Sequence, residues 1–170
     1  MSENGYLTWE AAGSGPRLRI ADAVVRGISA EAMRGFGATR RRGAEVGGLL
    51  LGYPPECDGQ PFHIDGFIPV PCQYAHGPSY VLSDSDHEAL AAAARAPSAR
   101  RSGAVVGFYR SHTRDGMEPD TADAALWSRH FGKMSDGLVL LVKPFATRAP
   151  VARVAAVVGG CIVPAGIEPE

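Results

Sequence analysis

Apolar positions along this chain fall into short blocks, and the period changes from block to block. Ala44 to Tyr53 is apolar apart from Glu45, as in a strand buried on both faces. Pro54-Pro55 ends that block and opens a loop through Pro61. Phe62 to Val70 predicts a second strand, with Phe62 and Ile64 before a glycine irregularity and Phe67-Ile68 after it. Upstream, Leu18 to Ile20 predicts a short strand. Ala21 to Phe36 carries Val24, Val25, Ile28, Ala32 and Met33 at helical spacing, despite Gly27. Downstream of a loop over Pro71 to Ser79, Ser85 and Glu88 have the spacing of a capping box. They open an alanine-rich helix that ends before Pro97. Ala104 to His112 predicts a strand and Thr113 to Glu118 a loop. Pro119 suits the first turn of a helix over Asp120 to Phe131, which carries Ala124, Leu126 and Trp127. Leu138 to Val142 and Val151 to Val158 predict two closing strands.

Strands alternating with helices imply an α/β or α+β layered fold with a mixed sheet. At 170 residues the chain fits one domain with a real core. Residues 1–16 read as a flexible lead-in, 17–160 as the domain, and 161–170 as a frayed C-terminal tail.

Composition narrows the function classes. The formal net charge of −1 gives no general pull toward nucleic acid or an anionic membrane, and Arg40, Arg41 and Arg42 read as a solvated basic turn. The longest apolar stretch, Val154 to Val163, is too short to span a bilayer. The first fifteen residues lack a basic start followed by an apolar run, so the expected location is cytoplasmic. Cys57, Cys72 and Cys161 are odd in number and far apart, which points away from a disulfide framework.

The chemistry gathers on Gly107-Phe108-Tyr109-Arg110-Ser111-His112, with Asp120 and Asp123 after it and Glu45 before it. Side chains alternate along a strand, so residues 110 and 112 share a face. The loop that follows can bring Asp123 back to that face. Two histidines at i and i+2 with a later aspartate would make an open zinc site, and a nearby carboxylate could serve its water as base. Here Arg110 stands at the first of those positions. Ser111 reads as a hydrogen-bonding support. His76 is a candidate substitute ligand in the loop, and Cys72 a candidate reactive thiol. His63, His87 and His130 read as surface or helix-face residues.

The chain resembles the JAMM/MPN metalloprotease family over roughly residues 17–158. The resemblance rests on Glu45 in its Gly-Gly-Leu-Leu-Leu-Gly setting, on Arg110-Ser111-His112, and on Asp123 at the family's spacing from His112. It implies a mixed sheet flanked by helices, of cytidine-deaminase-like architecture. It implies Glu45 as general base and His112 and Asp123 as zinc ligands. It also implies substrates cut next to ubiquitin-like or other protein tails. Three positions depart from the family's pattern. Arg110 replaces the first histidine ligand, Thr113 replaces a proline, and Asp120 replaces a serine that supports the oxyanion. Arginine has no lone pair to give a metal, and a carboxylate at 120 would repel an oxyanion.

These features predict a pseudoenzyme with no zinc, or zinc in a weak and incomplete site. Arg110 is expected to pair with Glu45 and Asp123 in place of the metal, as a salt-bridge cluster or a pocket for a ligand carboxylate. Expected partners are a protein tail or ubiquitin-like protein, with a homodimer also in view, and neither nucleic acid nor membrane. Two alternatives stand beside this: a zinc peptidase or isopeptidase with an unrecognised third ligand, and a thiol redox protein using Cys72.

Overall fold

The computed structural model describes residues 5–10, 16–38, 43–144, 152–158 and 161–165. Its strands are β1 (Tyr6–Glu10), β2 (Arg17–Ala21), β3 (Gly47–Tyr53), β4 (Phe62–Pro69), β5 (Ala104–Ser111), β6 (Asp136–Val142), β7 (Ala152–Val158) and β8 (Cys161–Ala165). Its helices are α1 (Asp22–Gly37), α2 (Asp84–Arg95) and α3 (Thr121–Phe131), with a short 3-10 turn at Pro97–Arg100. The strands form one sheet in the order β1-β2-β4-β3-β5-β6-β7-β8. Two neighbouring pairs, β2 with β4 and β5 with β6, are parallel, and the others are antiparallel. The fold is therefore α/β with a mixed sheet.

Alternation along the central strands builds two cores. Leu50, Tyr109, Leu138 and Leu140 face α1, where Val24, Ile28 and Ala32 are buried. Leu49, Phe108, Val139 and Leu141 face the other side, with Leu90 of α2 and Leu126, Trp127 and Phe131 of α3. This is why β3 and β6 are apolar at nearly every position: both of their faces are covered. Arg110 is two residues from Phe108, so it lies on the α2/α3 side. The glycine irregularity in the second predicted strand is a register shift. Leu51 lies opposite Gly66 and Gly52 opposite Ile64, which leaves Asp65 without a β3 partner.

Four expectations change. Residues 1–16 are not all lead-in, because β1 pairs with β2 and buries Trp9. The tail 161–170 is not all frayed, because β8 pairs with β7. The cap of α2 is Ser83 with Asp86, not Ser85 with Glu88. Asp120 is the N-cap of α3, so Pro119 precedes the helix. Arg40, Arg41 and Arg42 lie outside the described residues. Among the described residues, no helix is long and apolar enough to cross a membrane.

Candidate functional site

Glu45 sits in the segment leading into β3, and the local backbone fixes it there. Gly43 turns the chain with a φ of 65°. A Cβ at that position would lie 2.6 Å from the Phe36 Cα, so a side chain would clash as well as strain the turn. The Glu45 N–H donates to the Pro78 carbonyl (2.8 Å), and the Tyr74 hydroxyl donates to the Glu45 carbonyl (2.7 Å). Gly47 then lets Tyr80 lie against the strand, since a Cβ there would meet the Tyr80 ring at 2.6 Å. The loop between β4 and α2 thus straps Glu45 in place. Ser111 completes the frame: its Oγ accepts from the Val46 N–H (2.9 Å), and its own N–H donates to the Val46 carbonyl (2.7 Å).

Asp120 and Asp123 reach the same place from the start of α3. The two form a reciprocal capping box. Asp120 Oδ1 accepts from the N–H groups of Ala122 (2.9 Å) and Asp123 (3.0 Å), while Asp123 Oδ2 accepts from the Asp120 N–H (2.8 Å). A cap satisfies backbone donors that a helix start otherwise leaves open.

Arg110 joins the two halves. Its Nε and Nη2 donate side-on to Asp123 Oδ1 (2.5 Å) and Oδ2 (2.7 Å). Nη2 also donates to Asp120 Oδ2 (2.9 Å), and Nη1 donates to Glu45 Oε2 (3.2 Å). Four hydrogen bonds thus draw on a group with five N–H donors. Glu45 and Asp123 are each only 1% exposed, whereas the Asp120 side chain is 49% exposed. The expected pairing of Arg110 with both buried carboxylates is present, and Asp120 joins as a third partner. Burial alone would lower the Arg110 pKa. The hydrogen bonds and charge of Asp123, then the charges of Asp120 and Glu45, outweigh burial and push it up.

Glu45 has more than one task. Its Oε2 also accepts from the Tyr80 N–H (3.1 Å), and its Oε1 accepts from the Thr113 N–H (3.1 Å) and hydroxyl (3.4 Å). His112 Nδ1 lies 3.5 Å from Glu45 Oε1 and accepts from the Arg114 N–H (3.3 Å). Burial, then the charge of Arg110, lowers the His112 pKa against the opposing carboxylates. The ring is accordingly neutral near pH 7. Asp120 is held below the usual carboxylate range. Burial opposes this, but Arg110 and the N–H groups of Asp123 and Ala122 win.

The structure therefore brings Glu45, Arg110, His112, Asp120 and Asp123 together, with Ser111 bracing them. It does not bring the other two candidates in. His76 is exposed in the turn closed by the Gly77 N–H to Tyr74 carbonyl bond. Cys72 is half-buried beside Asp86, with Sγ 3.7 Å from Oδ2. Burial raises its pKa and Asp86 raises it further, against one stabilising bond from the Tyr74 N–H. That keeps the sulfur a thiol rather than a nucleophilic thiolate. Among the described residues, no three histidine, cysteine or carboxylate side chains are grouped to hold a metal ion.

Sequence reasoning missed Tyr74 and Tyr80. Their type offered no signal, since each acts through one hydroxyl or backbone N–H that only the folded loop brings to Glu45.

No protein-family model matches the chain, and no curated protein matches it. Among solved structures, the solution structure of protein DSY2949 from Desulfitobacterium hafniense is similar, with a TM-score of 0.57 at 18% identity. The match covers 85% of this chain and 87% of that one. At that identity the likeness is one of fold, and fold alone assigns no chemistry.

Proposed function

We propose that this chain is a non-hydrolytic relative of the JAMM/MPN metalloproteases that works by binding a protein tail or partner. The observation that carries the reading is the Arg110 guanidinium, bonded at once to Asp123, Asp120 and Glu45. The residues do not fit a catalytic zinc. Such a site needs three protein ligands and an open position. Arg110 supplies no lone pair, and both Asp123 oxygens are already bonded to it. His112 has one nitrogen committed to the Arg114 N–H. A fixed cation within the chain takes the place of a metal charge between Glu45 and Asp123. The mixed sheet with helices on both faces agrees with the architecture the sequence resemblance implies.

Charge balance shapes the partner. Three carboxylates face one guanidinium and a neutral imidazole, so the cluster is anionic. A bound carboxylate, such as a free peptide C-terminus, would be repelled. A tail bringing a basic side chain to half-exposed Asp120 is favoured, whether ubiquitin-like or from a second copy of this chain. The zinc peptidase alternative requires Arg110 to leave its three partners, and the redox alternative requires a thiolate that the surroundings of Cys72 oppose.

The experiment has two parts. Peptide and isopeptide substrates are incubated with the chain in excess zinc; the reading expects no turnover. Turnover abolished both by chelator and by Glu45→Gln would overturn it. Calorimetry then compares a lysine-rich tail peptide with its lysine-acetylated form. The expected result is binding of the first only, weakened by Asp120→Asn.

A further inference from the structure

His87 of α2 and His130 of α3 meet edge to edge, with ring centroids 5.0 Å apart and planes 23° apart. Their facing nitrogens, His87 Nδ1 and His130 Nε2, are 2.8 Å apart. At that distance one nitrogen must donate a proton and the other must accept it with a lone pair. The pair therefore holds when both rings are neutral and when one is charged. It fails when both are charged, because two N–H groups of like charge then face each other. The same two helices carry the opposite supports of the Arg110 cluster. The start of α3 holds Asp120 and Asp123. The start of α2 holds the strap over Glu45: Asp86 Oδ1 accepts from the Gln73 N–H (3.0 Å), and the strap ends in Tyr74 and Tyr80, which bond Glu45.

We propose that the His87–His130 pair is an acid-sensitive latch, joining the helix that presents Asp120 and Asp123 to the helix that anchors the strap over Glu45. The groups facing it are Asp84 and Asp86 on α2 and Arg129 on α3, with Phe131 against the His130 ring. Burial and Arg129 lower the His87 pKa, which Asp84 and Asp86 oppose; burial, His87 and Arg129 lower that of His130. The exposed Arg129–Asp84 ion pair (3.3 Å) also spans the helices, but it is open to solvent and contributes little. Double protonation parts the rings, releases α2 from α3 and loosens the strap. The proposal rests on the geometry of the pair and not on the JAMM/MPN reading.

The test follows the full chain from pH 7.5 to 5. Histidine ring protons are read by NMR, and amide exchange of Tyr74 and Tyr80 is corrected for its intrinsic pH dependence. His87 and His130 should titrate as a coupled pair, in two steps below the ordinary histidine value of 6.5, the second of which opens the latch. Exchange at Tyr74 and Tyr80 should rise through the same range, by about 10-fold or more. His130→Phe keeps an aromatic ring but no ring nitrogen and should abolish that rise, as should His87→Gln, while His112→Gln should leave it in place. Independent titration near 6.5, a rise that survives both latch variants, or a rise lost only in His112→Gln would overturn the proposal. Circular dichroism at pH 7.5 identifies any variant that fails to fold, and the ring-proton titration of the parent then decides alone.

Discussion

Arg110 is the residue on which the account turns, and its energetics follow from burial. Three of its four hydrogen bonds go to Glu45 and Asp123, which water hardly reaches. Removing the cation strands both carboxylates. Arg110→Ala should therefore destabilise the chain by about 3–5 kcal/mol, measured by urea denaturation at pH 7. Adding Glu45→Gln and Asp123→Asn to that variant should return part of the loss, because neutral amides cost less to bury. Arg110→Lys should also destabilise, since a point-like ammonium cannot grip Asp123 side-on while reaching Glu45. The cluster was legible in sequence for a definite reason. Residues 110 and 112 share a strand face by geometry, and Glu45 was the lone charge in an apolar block. Asp120 was only half legible. It was expected at an altered oxyanion position, whereas it caps α3 and pairs with Arg110 at the same time, and nothing in residue type separates those tasks.

At the level of elements, acid sensitivity collects at helix starts and between helices. Asp86 and Asp120 cap α2 and α3, and both are held below the carboxylate value of 3.8. For Asp86, burial opposes the shift, and bonds from Ser83 and Gln73 outweigh it. A lowered carboxyl pKa gives stability that is complete above the unfolded value and fades as pH falls through the folded one. The histidines obey the same sign, because His87, His112 and His130 all lie below 6.5 in the fold. Below pH 6.5 the unfolded chain takes up protons that the folded chain refuses, so stability should begin to fall there and fall again below 3.8. Urea midpoints from pH 7.5 to 3 check this; a midpoint that stays flat between 6.5 and 5 would contradict it. Ser83→Ala should cost about 1 kcal/mol by loss of a cap, and Ser85→Ala should cost much less. The sequence could not choose between those serines, because Ser83 with Asp86 and Ser85 with Glu88 have the same spacing. The choice is made by Gln73 and Cys72, which meet Asp86 only once the preceding loop has folded. The His87–His130 contact was hidden likewise: each histidine read as a helix-face residue, and their meeting depends on how α2 and α3 lie on the sheet.

For the whole molecule, the sequence pattern carried the centre of the sheet and lost its edges. The central strands β3, β5 and β6 are covered on both faces, which forces long apolar runs that are easy to see. β1 is only five residues long, and β8 contains Pro164, a residue tolerated at a sheet edge but unfavourable inside a sheet. The two edge strands therefore looked like lead-in and tail. The centre is also where the candidate site lies, which is why the site was more legible than the outline of the sheet around it. The claim that unites these scales is that Arg110 stands in for a metal ion. The most direct test counts zinc on the parent and on Arg110→His, after zinc loading and dialysis against a weak chelator. Position 110 already shares the face of His112 and Asp123, so the variant gains a third ligand where the parent has a guanidinium. The expected result is well under one zinc per parent chain and about one per chain of Arg110→His, with affinity raised by orders of magnitude. One tightly held zinc on the parent, or equally weak binding by both, would contradict it.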